Sequence, residues 1–254
     1  MLAPSDMTGR AALVTGAAAG LGRASAIRLA ELGADVAIVD IAEAGLEETA
    51  AAIRAHGRKT LVLPLDLAER SNCRAVVERS VGEFGRLDAL CNVAGVMIPG
   101  ATPDISDEAW DLTMAVNLAA PFFLIRAALS HLLEAKGAIV NVTSCAAFQG
   151  QAYFAAYCAT KAGLTNMTKA LAMEYMKAPI RINAVAPGGM LTGLTGGMRH
   201  LPADRDVELV SRIGSPRGLC EIDDVAECVA FLATDAARSY HGACINIDAG
   251  VTAD

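Results

Sequence analysis

The chain has 254 residues, of which 54% are hydrophobic, 19% charged and 4% aromatic, and its net charge at pH 7 is −7. So much apolar material builds a sizeable core and excludes a disordered chain. The acidic balance and the absence of any polybasic run exclude an electrostatic footprint for nucleic acid or an anionic membrane.

Seven short apolar runs follow one another along the chain: 11–16 (AALVTG), 35–40 (DVAIVD), 60–66 (TLVLPLD), 87–95 (LDALCNVAG), 138–144 (AIVNVTS), 181–188 (RINAVAPG) and 244–250 (CINIDAG). They are continuous rather than alternating, as strands buried on both faces are. Helix-length segments separate them at 20–32, 43–56, 68–84, 106–135, 157–177 and 221–234. This alternation predicts an α/β fold, a single doubly wound domain over 1–254 with a seven-stranded parallel sheet and helices on both faces. One segment breaks the rhythm. Residues 188–215 hold dense glycines and no strand, which predicts a substrate lid at the strand ends, with a plain surface excursion as the alternative.

No apolar stretch approaches the roughly 20 residues that span a bilayer, and the start of the chain lacks the order of a signal peptide. The seven cysteines are an odd number without a CxxC pair, and they read as buried thiols of a reducing compartment. A cytoplasmic location is expected. The four histidines form no helical pair, so no metal site is expected.

The first strand runs into TGAAAGLG (15–22). Gly16, Gly20 and Gly22 stand where a strand turns into a helix, where glycine lets backbone approach a pyrophosphate and the helix N-terminus supplies N–H donors. Leu21 lies between them. Asp40 closes the second strand, placed to accept hydrogen bonds from a ribose with a free 2′-hydroxyl and to repel a 2′-phosphate. With no cation among Ala17–Ala19, NAD is expected over NADP.

Tyr157 and Lys161 are four residues apart, on one face of one helix. A surface pair is the alternative, but this helix is poor in charge and apolar around most of its circumference, which predicts burial on more than one side. A phenol near pKa 10 needs roughly 4 kcal/mol of phenolate stabilisation to become a base at neutral pH. A neighbouring ammonium and an oxidised nicotinamide ring are able to supply it in a dry site. Ser144, at the end of the fifth run, is placed to hold a substrate oxygen beside Tyr157.

At these residues the chain resembles the short-chain dehydrogenase/reductase family, over nearly its whole length. TGAAAGLG matches the cofactor glycine motif, and NVAG (92–95) is similar to the family's Asn-Asn-Ala-Gly element. Asn117, Ser144, Tyr157 and Lys161 fall at the positions of the catalytic tetrad. The resemblance implies a Rossmann domain, a hydride transfer between a secondary alcohol or ketone and nicotinamide, and Tyr157 as general base or acid. It implies that Lys161 lowers the tyrosine pKa and binds the nicotinamide ribose, and that Asn117 holds a water leading to solvent. It assigns cofactor contacts to Ile41 beside Asp40, to Asp66 and Leu67 at adenine, to Asn92, Ala94 and Gly95, and to Pro187, Gly188, Met190 and Thr192 at the carboxamide. It implies a homo-oligomer, a tetramer. Two departures are IDAG (247–250) for Asp-Gly-Gly and Cys220 for proline.

Met97, Ala146, Phe148, Gln151, Tyr153, Met190, Leu194 and Met198 are candidate substrate contacts, each also explicable as core. Being mostly apolar, they predict a neutral small-molecule substrate with hydrophobic bulk. Arg199 and His200 are the nearby groups that would meet a carboxylate. Cys145 and Cys158 flank the reactive residues, as redox-sensitive thiols or as small buried side chains. An epimerase or dehydratase, a 3-oxoacyl thioester reductase, and a non-catalytic NAD sensor or scaffold are the rival readings.

Overall fold

The structure, a computed structural model, describes residues 4–193 and 201–253. Seven strands, β1 (Ala11–Thr15), β2 (Asp35–Asp40), β3 (Thr60–Pro64), β4 (Ala89–Asn92), β5 (Ala138–Val142), β6 (Arg181–Pro187) and β7 (Cys244–Ile247), form one sheet in the order β3-β2-β1-β4-β5-β6-β7. Every pairing is parallel. The helices are α1 (Gly20–Glu31), α2 (Glu43–Ala55), α3 (Arg70–Phe84), α4 (Asp107–Met114), α5 (Ala120–Ala135), α6 (Ala155–Glu174), α7 (Val207–Ser211) and α8 (Ile222–Ala233).

The continuous apolar runs follow from cover on both faces. In β1 and β2, Ala12, Val14, Val36 and Ile38 pack toward α1, α2 and α8, while Leu13, Ala37 and Val39 pack toward α3 and α5. The chain moves outward from β1 to β3, then crosses back to β4 and moves outward the other way. The crevice at the carboxyl ends of β1 and β4 is therefore the switch point of the sheet, where ligands bind in open α/β folds.

Four expectations are refined. The predicted helix 106–135 is one rod, but a π-helical turn at Ala115–Ala119 divides it into α4 and α5. This rod, Asp107–Ala135, is 29 residues long and holds an 18-residue stretch with a mean hydropathy of 1.7, so by length and composition alone it is apolar enough to cross a membrane. That corrects the expectation that no stretch approaches such a span; in the fold its Leu124, Ile125, Ala128 and Leu132 are buried in the core. Helix α6 buries one stripe, Tyr157, Lys161, Leu164, Thr168 and Ala172, within the chain. Ala162, Asn166 and Met173 on its other side are exposed, so the expected burial on more than one side is not reached inside a single chain. The segment 188–215 carries no strand among its described residues but does hold the short helix α7.

Candidate active site

At the carboxyl end of β1 the backbone must turn sharply. Gly16 has φ +69°, and a Cβ there would lie 2.8 Å from the Ala94 Cα; a Cβ on Gly22 would lie 2.1 Å from the Gly16 carbonyl oxygen. Only glycine lets α1 start this close to β1. The loop is pinned from two sides. Val39 accepts the Gly16 and Ala17 N–H groups at 2.9 and 3.3 Å. The Thr15 hydroxyl oxygen accepts the N–H groups of Val93 and Ala94, both at 2.9 Å, which ties the loop after β4 to the glycine loop. The N-terminus of α1 has no side-chain cap, so its N–H groups are available to an anion. Asp40 ends β2 beside this turn. Its carboxylate accepts the N–H groups of Ala18 at 3.2 Å and Ala42 at 3.0 Å, which aims it toward the loop.

Tyr157 and Lys161 lie in the first turns of α6, 7% and 3% exposed. The Lys161 Nζ donates to the Val142 carbonyl at 3.0 Å and sits 5.6 Å from the Tyr157 ring centroid. Burial pushes the Lys161 ammonium down to about 8. Burial also pushes the Tyr157 phenol up to about 12, and its hydrogen bond with Ser144 opposes this only in part. Desolvation disfavours the charged form of each group. A lowered phenol is expected from a neighbouring ammonium together with an oxidised nicotinamide ring, and with the protein's own groups alone the shift runs the other way. Ser144 caps the short turn after β5 by accepting the Ala146 N–H at 3.1 Å. Its hydroxyl also reaches the Cys145 Sγ at 3.9 Å, to which Gln151 Nε2 donates at 3.6 Å. Burial raises the Cys145 and Cys158 thiols, which disfavours reactive thiolates.

Asn117 is fully buried in the π turn, a feature often found at functional sites. Its Oδ1 accepts the Val96 N–H at 2.8 Å; its Nδ2 donates to the Val96 carbonyl at 2.8 Å and to Thr160 Oγ1 at 3.3 Å. The carboxamide thus joins the loop after β4 to α6. A Cβ on Gly95 would lie 3.3 Å from Asn117 Oδ1 and 3.5 Å from Lys161 Nζ, so these two side chains meet across a glycine.

A single cavity of about 600 Å³ runs from the glycine loop to Tyr157. Of the predicted residues it gathers Gly16, Gly20, Leu21, Gly22, Asp40, Ala94, Gly95, Met97, Ser144, Gln151, Tyr157, Lys161, Pro187, Gly188, Met190 and Thr192. The continuous path, the glycine cradle and the acid beside it fit an extended dinucleotide. Ile41 is 73% exposed beside Asp40, open to a planar base. Other predicted residues stand apart. Asn92 points behind the cavity, where its Nδ2 donates to Asn141 Oδ1 at 2.8 Å and Asn141 in turn donates to Thr168. The Asp66 carboxylate accepts the Ala68 N–H in the turn before α3, and Leu67 is core. Ala146 is buried under Tyr157, and Phe148 is exposed. Leu194, Met198, Arg199 and His200 lie outside the described residues. Sequence reasoning missed Leu112 and Ile213, which reach the cavity wall from α4 and from beyond α7 with no local motif to mark them. It also missed Thr15, whose place at the end of a strand before a glycine turn was the available signal.

The model of the short chain dehydrogenase family matches residues 10–202. The cis-4-hydroxycyclohexanecarboxylate dehydrogenase of Sinomonas cyclohexanicum is 41% identical over 247 residues, 96% of this chain and 97% of that protein. A short chain dehydrogenase from Mycobacterium paratuberculosis, solved bound to NAD, superposes with a TM-score of 0.91 at 30% identity over 98% of this chain and 100% of that one. One from Burkholderia cenocepacia, solved in complex with NADP, does so with a TM-score of 0.87 at 35% identity over 96% and 98%. The chain belongs to the short-chain dehydrogenase family, whose solved members bind nicotinamide cofactors of both kinds.

Proposed function

We propose that the chain is an NAD-dependent oxidoreductase acting between a secondary alcohol and its ketone, with Tyr157 as general base or acid. The observation that carries this is the burial of Tyr157, Lys161 and Ser144 together at one end of a cavity whose other end is the glycine cradle. When bound, the nicotinamide supplies the hydride acceptor for the carbinol carbon. In that direction Tyr157 takes the hydroxyl proton and Ser144 holds the same oxygen and its developing charge. Lys161, anchored on Val142, keeps a positive charge beside the phenol ring and favours the phenolate as the proton moves. Asn117 holds the Val96 loop and α6 at fixed separation, so that Lys161 stays aimed past Gly95. Reduction reverses these steps.

Relatives of both cofactor types exist, so the cofactor preference rests on Asp40, whose charge would repel a 2′-phosphate. The substrate end, which includes Met97, Ile98, Leu112, Phe154 and Ile213, is apolar. Lys161 and Asp40 are the charged groups among the described lining residues, which favours a neutral substrate. With a relative that acts on a hydroxycyclohexane ring, a cyclic secondary alcohol is the reading supported best.

The test is a panel of cyclohexanols, cyclohexanediols, 4-hydroxycyclohexanecarboxylate, polyols, hydroxysteroids and hydroxyacyl thioesters, each with NAD and with NADP. Nicotinamide reduction is followed for the native protein and for Tyr157→Phe. The variant should lose turnover and keep NADH binding within a few-fold. Equal loss of both would sink the role given to Tyr157.

A further inference from the structure

Tyr153 is absent from the cavity lining but joins the segments that build its substrate end. Its backbone has φ +71°, one of three positive values at non-glycine positions among the described residues. An aromatic residue holds that conformation only where its surroundings impose it, and such positions cluster at functional sites. Three contacts impose it here. The Tyr153 carbonyl accepts the Gly100 N–H at 2.9 Å, from the segment that carries Met97 and Ile98. Its phenol oxygen accepts the Asp206 N–H at 2.8 Å, at the start of α7. Its side chain packs against the small buried cluster of Ala146, Phe154 and Tyr157, on which Met97, Leu201 and Ile213 also pack. A second tie runs parallel: Gln149 Nε2 donates to the Arg212 carbonyl at 3.1 Å, next to Ile213.

We infer that Tyr153 is a positioning residue, a latch that holds Ile213 and Met97 against the cavity and so fixes where the alcohol carbon sits relative to Tyr157. It acts through these wall residues and touches neither substrate nor cofactor. The inference rests on the oxidoreductase reading above. The left-handed backbone turns its carbonyl to the loop after β4, while the phenol reaches α7, so one residue sets the spacing of both walls. The glycine cradle lies at the other end of the cavity and should not feel the latch.

Tyr153→Phe deletes the acceptor for Asp206 and leaves the ring and backbone in place. Losing one hydrogen bond of this kind should raise KM for the alcohol by about threefold to tenfold, with KM for NAD unchanged and the thermal midpoint lowered by no more than about 4 °C. Hydrogen exchange over residues 201–213 should quicken while exchange in β5 stays as in the native protein. Unchanged alcohol KM, or an equal rise in both KM values, overturns the positioning role. Unchanged exchange over 201–213 overturns the latch itself, whatever the activity. The reciprocal variants probe the same bond from the other side. Asp206 has φ −70°, so proline fits there and removes the N–H together with the capping carboxylate, whereas Asp206→Ala removes the carboxylate alone. Asp206→Pro should exceed Asp206→Ala in alcohol KM in the native background and match it in the Tyr153→Phe background. Equal effects in both backgrounds overturn the proposal. If the native protein turns over no alcohol in the panel, the oxidoreductase reading fails and the positioning role with it, while altered exchange would still locate the latch.

Discussion

Lys161→Met should make the protein more stable and less active at once. The Lys161 ammonium is buried, and its pKa falls from an ordinary 10.5 to about 8. At 1.36 kcal/mol per pH unit, that fall represents roughly 3 kcal/mol by which the charged lysine disfavours the folded state near pH 7. Below pH 8 lysine is protonated both folded and unfolded, so this cost is present in full. Between pH 8 and 10.5 the unfolded chain binds the extra proton, stability rises with pH, and the cost fades to about 1 kcal/mol at pH 9.5. Methionine is of similar length and carries no charge, but it leaves the Val142 carbonyl without the 3.0 Å bond it has to Nζ, a loss of about 1 kcal/mol. The net gain for Lys161→Met is about 2 kcal/mol at pH 7 and close to zero at pH 9.5. Urea unfolding followed by far-UV circular dichroism, at one protein concentration and at both pH values, measures it. Turnover should be lost in the same variant, since the positive charge beside Tyr157 is gone. A variant that unfolds earlier than the native protein at pH 7, or a gain that does not shrink toward pH 9.5, would refute the argument. The site would then not be storing the destabilisation that burial of an ammonium implies.

Asp40→Asn keeps the shape of the carboxylate and an acceptor for Ala18 or Ala42 but removes its charge. The ratio of kcat/KM for NADP to that for NAD should rise at least about tenfold, from relief of a like-charge contact; an unchanged ratio would show that Asp40 does not face the ribose. Trp110, Phe122 and Met173 are 45%, 42% and 68% exposed on α4, α5 and α6, and large apolar side chains left open to water favour self-association. Sedimentation velocity should give a mass above the monomer's 26.2 kDa, and Phe122→Asp should lower it. A native monomer at micromolar concentration would dismiss the interface.

The five inner strands were legible because they are buried on both faces and so spelled in mostly apolar residues, from Ala11–Thr15 to Arg181–Pro187, whereas β3 and β7 at the two edges of the sheet are only partly buried. The reactive residues were legible because local geometry fixes them: a four-residue step puts Tyr157 and Lys161 on one face of α6, and glycines mark the turn at Gly16. What escaped depends on partners far away in the chain. Asn92 reads as a loop-end ligand until β4 pairs with β5 and sets it opposite Asn141. The π turn around Asn117 leaves no periodic trace in a stretch that is apolar on every side. Ile213 and Leu112 converge on the cavity from segments about a hundred residues apart. The electrostatics escaped for the same reason. Spacing alone says that an ammonium near a phenol lowers its pKa, but tertiary burial penalises both ionised forms and leaves Tyr157 at about 12 and Lys161 at about 8. With both shifts toward the neutral form, the phenol would serve as a base only when a further positive charge enters the same dry space. An oxidised nicotinamide is such a charge. Under the proposed function, the base would therefore be complete only in the presence of its cofactor, and proton removal would be tied to the state in which a hydride acceptor is at hand.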